Sequence, residues 1–304
     1  MELNVIAPVV LWSSIVGVAF LVFGLFAVRR DFFAATGLER LIVLGRVFFA
    51  APLAAFGVEH LTLAQFIMQG VPVWMPWRLF WAYFVGIALI AAALSFVLKR
   101  YVHLSAMLFA IMLFLFVATI HLPNAAAHPG DRIIWAVVLR DLAFGGAALA
   151  YAGVLTNRER ERKIAILAGQ LCFALPVIFF GVEVLMHPQF APGVPLGMMT
   201  PKWVPVPYFW AFLTGAALLA AGVGMLIARF SRTAACVAGI VMVVLTACLY
   251  FPILLMASGT AGLVEGINYV ADTLLFGGAA LLLAAAMPGH RPALFVAHSS
   301  VAAD

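Results

Sequence analysis

Charged residues are scarce in this chain. Of its 304 residues, 12 are acidic and 17 are basic, so that 10% are charged while 66% are hydrophobic. A soluble globular domain carries roughly 25% charged residues, and the composition therefore excludes a water-soluble protein. No segment outside the apolar runs is long enough to form a core of its own, which argues against a separate catalytic domain.

The chain also lacks the features of nucleic-acid binding and of thiol chemistry. Its net charge is +5, but the basic residues lie in short clusters at the ends of apolar runs and form no continuous patch. The three cysteines, Cys172, Cys236 and Cys248, all fall within apolar runs, and no Cys-x-x-Cys pair occurs. We therefore predict no nucleic-acid partner and interpret the cysteines as buried structural residues.

What the sequence has in abundance is apolar runs of membrane-spanning length. About 20 mostly apolar residues cross the hydrocarbon core of a bilayer as a helix. Nine runs meet or nearly meet this length: 5–28, 41–60, 79–98, 104–122, 133–155, 164–185, 208–228, 234–256 and 268–287. The sequence thus predicts an all-α membrane protein of about nine transmembrane helices.

The distribution of arginine and lysine predicts how these helices are oriented. Basic residues are concentrated after the first, third, fifth, seventh and ninth runs, whereas the opposite side has only Arg78, Arg132 and Lys202. By the positive-inside rule, the N-terminus is outside and the C-terminus is cytoplasmic. Because Arg29 and Arg30 follow the first run and no basic residue precedes it, we expect that run to be a retained helix rather than a cleavable signal peptide.

The sequence repeats itself after the first helix. Phe-Gly-Val-Glu occurs at 56–59 and again at 180–183, Phe-Trp-Ala at 80–82 and 209–211, and Phe-Gly-Gly-Ala-Ala-Leu at 144–149 and 276–281. We divide the chain accordingly into an N-terminal helix and loop (1–37), two four-helix-bundle repeats (38–157 and 158–287) and a cytoplasmic tail (288–304). Because four is even, both repeats cross in the same direction, which predicts a pseudo-symmetry axis along the membrane normal.

The first helix of each repeat contains a proline followed by a glycine. Pro52 and Gly57 in the first repeat match Pro176 and Gly181 in the second. Interrupted helices of this kind are found at binding sites of membrane proteins, but proline and glycine are also common in membrane helices in general. The sequence leaves both interpretations open.

The ionisable residues of the apolar runs fall in the outer half of the predicted bilayer. A charged side chain at mid-membrane costs roughly 2.5–3.5 kcal/mol on insertion scales, so we expect these residues to face the bundle interior and one another. The candidate ligand-binding or proton-route pocket consists of Glu59, His60, His121, Arg140 and Asp141. Its counterpart in the second repeat consists of Glu183, Tyr250 and Asp272.

The expected pairing within the pocket follows from helix geometry. Arg140 and Asp141 are adjacent and project about 100° apart, so the sequence predicts that they do not pair with each other. We expect Arg140 to reach Glu59 on another helix, and Asp141 to meet His60, His121 or solvent. The alternative is that these residues are polar links between helices, each worth under about 1 kcal/mol.

The sequence does not indicate a metal or haem site. Glu59, His60, His121 and Asp141 are chemically suitable ligands, but no two have the i, i+3 or i+4 spacing that fixes a metal on one helix. We assign no metal and no intrinsic cofactor. The two long outer connections, 61–78 and 186–207, contain Trp, Met and Pro; we interpret them as part of the interfacial aromatic belt or, alternatively, as lids that contact a lipophilic ligand.

Several motifs of the first repeat resemble those of the DoxX-like family. They are Phe-Gly-Val-Glu-His-Leu at 56–61, Phe-Trp-Ala-Tyr at 80–83, His-Leu-Pro-Asn at 121–124 and Arg-Asp-Leu-Ala at 140–143. The family comprises small four-helix membrane proteins named for a subunit of an archaeal terminal quinol oxidase, and a subunit of a thiosulfate:quinone oxidoreductase is related to them. The resemblance covers 38–155 well and 162–287 more loosely.

The resemblance implies a four-helix fold for each repeat and an association with quinone-linked redox complexes in a bacterial or archaeal plasma membrane. Family members have a single repeat, whereas this chain has two and an extra helix. The second repeat has Tyr250 where the first has His121, and Asp272-Thr273 where the first has Arg140-Asp141, so we expect the first repeat to hold the active pocket.

These observations lead to three functional hypotheses. The first is a membrane subunit of a quinone-linked respiratory or redox complex that binds quinone and depends on partner subunits for electron transfer, since no self-contained catalytic motif is present. The second is a carrier or binding protein for a small lipophilic molecule. The third is a purely structural subunit of a larger membrane assembly.

Overall fold

The computed structural model describes residues 3–288. The predicted cytoplasmic tail, apart from Pro288, and Arg291 within it lie outside the described residues. Within 3–288 the chain forms twelve α-helices, numbered in chain order. They are α1 (Leu3–Ala34), α2 (Leu38–Thr62), α3 (Ala64–Ile67), α4 (Arg78–Leu98), α5 (Val102–Phe116), α6 (Leu122–Ala127), α7 (Arg132–Val154), α8 (Glu159–Met186), α9 (Pro207–Leu226), α10 (Ser231–Leu245), α11 (Phe251–Met256) and α12 (Gly259–Ala286).

The prediction of nine spans in an all-α membrane protein is confirmed. Among the described residues, nine helical stretches are long and apolar enough to cross a membrane, with α5–α6 and α10–α11 each forming one stretch. Large apolar side chains on the outside of the bundle also require a lipid environment. On α1, for example, Val22 and Phe26 are each 62% exposed. We call the end that carries segments 63–77 and 187–206 the long-loop end.

The helix boundaries differ most from the prediction in the last span. α12 begins at Gly259, nine residues before the predicted start at 268. The added stretch contains the charged residue Glu265, which interrupts the apolar run in the sequence but is compatible with an α-helix. At the start of α7, the Asp131 side chain accepts hydrogen bonds from the backbone N–H groups of Ile133 (2.9 Å) and Ile134 (3.2 Å), and so acts as the N-cap.

Two π-helical segments interrupt the fold at equivalent places. Val117–His121 joins α5 to α6, and Thr246–Tyr250 joins α10 to α11. Each precedes a proline, Pro123 or Pro252, which has no N–H to bond the carbonyl four residues earlier and whose ring crowds that carbonyl. A wider helical turn relieves this conflict, and such π-bulges are frequent at functional sites. The sequence analysis did not predict either segment.

Where interruptions were considered from the sequence, the helices are continuous. α2 and α8 remain α-helical through Pro52 and Pro176. The glycine that recurs in both repeats has a packing role instead. A Cβ at Gly181 would lie 2.5 Å from the Leu219 backbone nitrogen and 2.9 Å from the Gly215 carbonyl oxygen. Glycine therefore permits the close backbone approach of α8 and α9.

The last helices of the two sequence repeats, α7 and α12, lie together at the centre of the bundle. Equivalent residues meet there: the Phe144 and Phe276 ring centroids are 5.6 Å apart. α12 also packs closely on α2, because a Cβ at Gly278 would lie 2.4 Å from the Phe49 backbone nitrogen. α7 packs in the same way on α8 at Gly146, whose Cβ would lie 2.8 Å from the Gly169 carbonyl oxygen.

The first helix of each repeat thus packs on the last helix of the other repeat. The boundaries 38–157 and 158–287 divide the sequence but not the core, which is shared. Contacts between equivalent residues on α7 and α12 are the arrangement that a two-fold axis along the bundle produces. This interlocked packing brings side chains of both repeats to one place near the long-loop end.

Candidate functional site

A cluster of ionisable side chains lies where α7, α12 and the first π-helical segment meet. The Arg140 Nη1 donates to Asp272 Oδ2 at 2.7 Å, and its Nε donates to Asp141 Oδ1 at 3.1 Å. The other Asp141 oxygen lies 3.0 Å from His121 Nε2. We call Arg140, Asp141, Asp272 and His121 the central cluster.

The pairing of Arg140 corrects the sequence-based expectation. Its inter-helix partner is Asp272 and not Glu59, because the interlocked packing sets α12 directly beside α7. The expectation that adjacent Arg140 and Asp141 do not pair was also wrong. Their Cβ atoms diverge, but the arginine side chain is long enough for its Nε to fold back onto the neighbouring carboxylate. Asp141 also meets His121, one of the contacts anticipated for it.

Arg140 and Asp272 occupy equivalent positions of the two sequence repeats. Residues 144–149 align with 276–281, and the same alignment places Arg140 opposite Asp272 and Asp141 opposite Thr273. The ion pair therefore joins equivalent positions across the central axis, with a cation in one repeat and an anion in the other. This difference converts a like-charge contact, which a perfectly symmetric pair would create, into an attractive one.

Glu59 lies at the edge of the central cluster. Its Oε1 accepts a hydrogen bond from the Asn268 Nδ2 at 3.3 Å, and Asn268 is one helical turn before Asp272 on α12. His60 is directed elsewhere: its Nδ1 donates to the Phe56 carbonyl in its own helix at 2.8 Å. Of the five residues predicted for the first-repeat pocket, three are therefore in the central cluster, Glu59 adjoins it, and His60 does not take part.

The second-repeat counterpart residues are distributed over two other places besides the central cluster. Glu183 accepts from Arg132 Nη1 at 3.3 Å, and Arg132 also donates to the Leu196 carbonyl at 2.7 Å and lies 4.1 Å from the centroid of the Phe190 ring. These contacts fasten the 187–206 segment to α7 and α8. The sequence analysis counted Arg132 only as an outer charge and missed this role.

Tyr250, the counterpart of His121, is buried at the end of the second π-helical segment. Its hydroxyl donates to the Pro192 carbonyl at 2.8 Å, and its ring centroid is 6.0 Å from that of Tyr269. Asn268 and Tyr269 are the first two residues of the predicted last span, 268–287, and were not selected from the sequence because neither is charged at neutral pH. α12 carries both of them to the site.

The central cluster adjoins a small cavity of about 50 Å³. Its polar lining consists of Arg140, Asp272, Tyr250, Tyr269 and Thr273, and the other six lining residues, from α7 and the 187–206 segment, are apolar. A water molecule needs about 10–15 Å³ of such space, so the cavity has room for roughly three or four waters. It is therefore suited to water molecules hydrogen-bonded to the cluster rather than to a ring-sized ligand.

The central cluster contains more acidic than basic groups. One guanidinium faces two carboxylates, Asp141 and Asp272, and Glu59 adds a third carboxyl group beyond Asn268. The His121 imidazole contacts Asp141 on the side away from Arg140.

The described residues contain no group of three or more His, Cys, Asp or Glu side chains arranged to hold a metal ion. Comparisons with protein-family models, with curated proteins and with solved structures find no match to this chain. The resemblance to the DoxX-like family remains a prediction from the sequence motifs.

Proposed function

We propose that this protein is an integral membrane subunit of a quinone-linked redox complex and that the central cluster transfers the protons of quinone chemistry. The observation that supports the proposal is the His121–Asp141–Arg140–Asp272 network, placed inside the bundle beside a water-sized cavity. Oxidation of a quinol releases two protons and two electrons. The electrons would pass to a redox cofactor on a partner subunit, and the cluster would accept the protons.

The position of the cluster along α7 suits this role. Arg140 is eight residues from the start of α7 at Arg132, which corresponds to about 12 Å along the helix. A proton held at this depth is far from bulk water on the opposite side of the membrane but within reach of the long-loop end. Ionisable groups inside a membrane are costly, and proton relays are one of the functions for which they are retained.

We infer the orientation and the membrane from the sequence. The basic residues following α1, α4, α7 and α9 place those connections in the cytoplasm and the long-loop end outside, with the N-terminus also outside. The motifs that resemble the DoxX-like family point to the plasma membrane of a bacterium or archaeon. In this orientation, the central cluster would deliver protons to the outer side.

The experiment compares two Asp→Asn variants of the same helix region in the complex purified from native membranes. Asp141→Asn keeps the shape of the side chain but removes its charge from the His121 pair, and we expect quinone-dependent activity to fall at least tenfold. Asp131→Asn is the matched control, because asparagine caps a helix as well as aspartate does, and we expect unchanged activity. Unchanged activity in Asp141→Asn at normal abundance would contradict the proposal.

The same purification tests the association itself. If the protein belongs to a redox complex, subunits that carry a redox cofactor co-purify with it, together with bound quinone. A protein that purifies alone and retains a different lipophilic molecule would favour the carrier hypothesis. Normal activity in every variant of the cluster would favour a structural role.

A further inference from the structure

A second, larger opening lies away from the central cluster, between α9 and α10. It is a cleft of about 450 Å³, closed on one side by residues of the 187–206 segment. Small-molecule sites in proteins typically measure about 300–1,000 Å³ and are lined mainly by apolar and aromatic side chains. The cleft fits both criteria, since Trp203, Trp210, Leu213, Val241 and Leu245 line it.

Among the described residues, no charged side chain lines the cleft, but one hydroxyl group of a lining residue lacks a partner. Thr200 lines the cleft, and its Oγ1 is buried without a hydrogen-bond partner among residues 3–288. Buried hydroxyl groups are normally hydrogen-bonded, and an exception calls for an explanation such as a bound water molecule. Because this oxygen has almost no accessible surface, rotation of the Thr200 side chain would bring it into contact with an acceptor in the cleft.

The corresponding positions of the first repeat carry larger side chains. The alignment that pairs Trp81 with Trp210 and His121 with Tyr250 also pairs Phe84 with Leu213, Met112 with Val241 and Phe116 with Leu245. At all three positions the second repeat has the smaller residue. The side chains of the second repeat therefore leave more room at these three positions than those of the first repeat do.

The two tryptophans at one of these aligned positions also differ in their hydrogen bonds. In the first repeat, Trp81 Nε1 donates to the Pro76 carbonyl at 3.0 Å. Within the described part of the chain, its counterpart Trp210 makes no such bond and instead lines the cleft. Its indole N–H is a second donor that a ligand with an acceptor group can use.

We propose that this cleft binds an uncharged, lipid-soluble molecule that has a carbonyl acceptor on an apolar body. A phosphate headgroup is a poor match because no cation among the described residues lines the cleft. A neutral ring bearing carbonyl groups matches the apolar walls and can accept a hydrogen bond from the Trp210 indole N–H.

The identification of this molecule as a quinone rests on the proposed function. The structure also connects the cleft to the cavity beside the central cluster. Tyr250 lines the cavity, its hydroxyl is bonded to the Pro192 carbonyl, and Pro192 lines the cleft. The Tyr250–Pro192 hydrogen bond therefore separates the cleft, which we propose holds the quinone ring, from the cavity beside the central cluster.

Photolabelling of the whole protein in phosphatidylcholine nanodiscs tests the proposal. The probe is a benzoquinone with a ten-carbon tail that ends in a diazirine, and the adducts are located by mass spectrometry. We expect saturable labelling of α9 and α10 at the cleft, competed by the unlabelled quinone. A phosphatidylcholine with a diazirine on its acyl chain serves as the comparison probe, and we expect it to label the outer surface of the bundle without saturation.

Two variants and one control connect the labelling to the cleft. Leu245→Phe introduces the residue that the first repeat has at the aligned position, and we expect it to lower quinone labelling at least tenfold. Leu255→Phe makes the same change on α11, where the side chain is 69% exposed and outside the cleft, and we expect no effect. Thr200→Val keeps the side-chain shape without the hydroxyl, and we expect the concentration for half-saturation to rise several-fold.

The outcomes separate this inference from the proposed function. Equal labelling of the cleft by both probes, or labelling that is unaffected by Leu245→Phe and Thr200→Val, would overturn the cleft as a ligand site. Saturable quinone labelling confined to α7 and α12 would also overturn it but leave the proposed function intact. Saturable labelling of the cleft combined with unchanged redox activity in Asp141→Asn would support the cleft and contradict the proposed function.

Discussion

The ion pair between Arg140 and Asp272 should contribute strongly to stability, and a double-mutant cycle measures its contribution. The three variants are Arg140→Gln, Asp272→Asn and the double replacement. Asn keeps the shape of Asp, whereas Gln keeps a polar end on a shorter chain than Arg. The cycle removes both charges, and the double variant corrects the single effects for the packing that Arg140→Gln loses.

The magnitude follows from the geometry of the pair. The Nη1–Oδ2 distance is 2.7 Å, which places the charge centres about 4 Å apart. At an effective dielectric constant of about 20, two unit charges at this separation attract by about 4 kcal/mol. Arg140 retains Asp141 as a partner when Asp272 is replaced, so we expect this variant to lose about 1.5–3 kcal/mol.

Arg140→Gln should be more destabilising than Asp272→Asn. It leaves the carboxylates of Asp141 and Asp272 near each other without a cation, and breaking a buried pair in this way costs about 3–5 kcal/mol. In the double variant only one of these carboxylates remains, and we expect the two single effects to exceed the double effect by about 2–3 kcal/mol. This is at the upper end of the coupling energies measured between contacting residues.

The assay is equilibrium unfolding in mixed micelles, followed by tryptophan fluorescence, for the wild type and the three variants. The control is the equivalent cycle at Arg158 and Glu161, whose N–O distance is similar at 2.8 Å but whose side chains are 79% and 57% exposed. We expect no measurable coupling there, because water screens the pair. Additive effects at Arg140 and Asp272, within about 0.5 kcal/mol, would refute the assignment of this ion pair.

Two further predictions concern packing and the wall between cavity and cleft. Gly181→Ala should destabilise the protein by about 1–3 kcal/mol, because the added Cβ meets backbone atoms of α9 that cannot move aside. Gly70→Ala is the control and should be nearly neutral, since no heavy atom lies within 4 Å of the added Cβ. Thermal unfolding compares the two variants, and equal melting temperatures would contradict the packing argument. Tyr250→Phe should lower the free energy of unfolding by about 1 kcal/mol, because it leaves the Pro192 carbonyl unpaired. The rate of amide hydrogen exchange in the 187–206 segment should rise, and an unchanged rate would show that the hydroxyl does not hold this segment.

The π-helical segments connect the fold to the candidate site. His121 and Tyr250 are the last residues of the two segments, so the widened turn of the helix sets the direction of each side chain. In the first repeat, the segment directs an imidazole to Asp141. In the second, it directs a phenol to the Pro192 carbonyl. One backbone feature thus directs an ionisable side chain of the central cluster in one repeat and a structural hydrogen bond in the other.

The membrane spans could be predicted from the sequence because they depend on a local property. A stretch of about 20 apolar residues is stable in a bilayer as a helix whatever its neighbours are, since its backbone bonds are satisfied within the segment. The placement of Arg140, Asp141 and His121 together was also accessible, because ionisable side chains avoid lipid. The sequence repeat revealed which positions are equivalent.

The tertiary structure alone decided which groups pair. Arg140 meets Asp272 rather than Glu59 because α7 lies beside α12 at the centre of the bundle. The first helix of each repeat packs on the last helix of the other repeat, and no local sequence pattern encodes this arrangement. The cleft likewise depends on differences in side-chain volume between aligned positions, such as Phe116 and Leu245, which create space only once α9 and α10 are in contact. Local hydrophobicity determines that a segment crosses the membrane, whereas the close approach of particular backbones determines what its polar side chains meet.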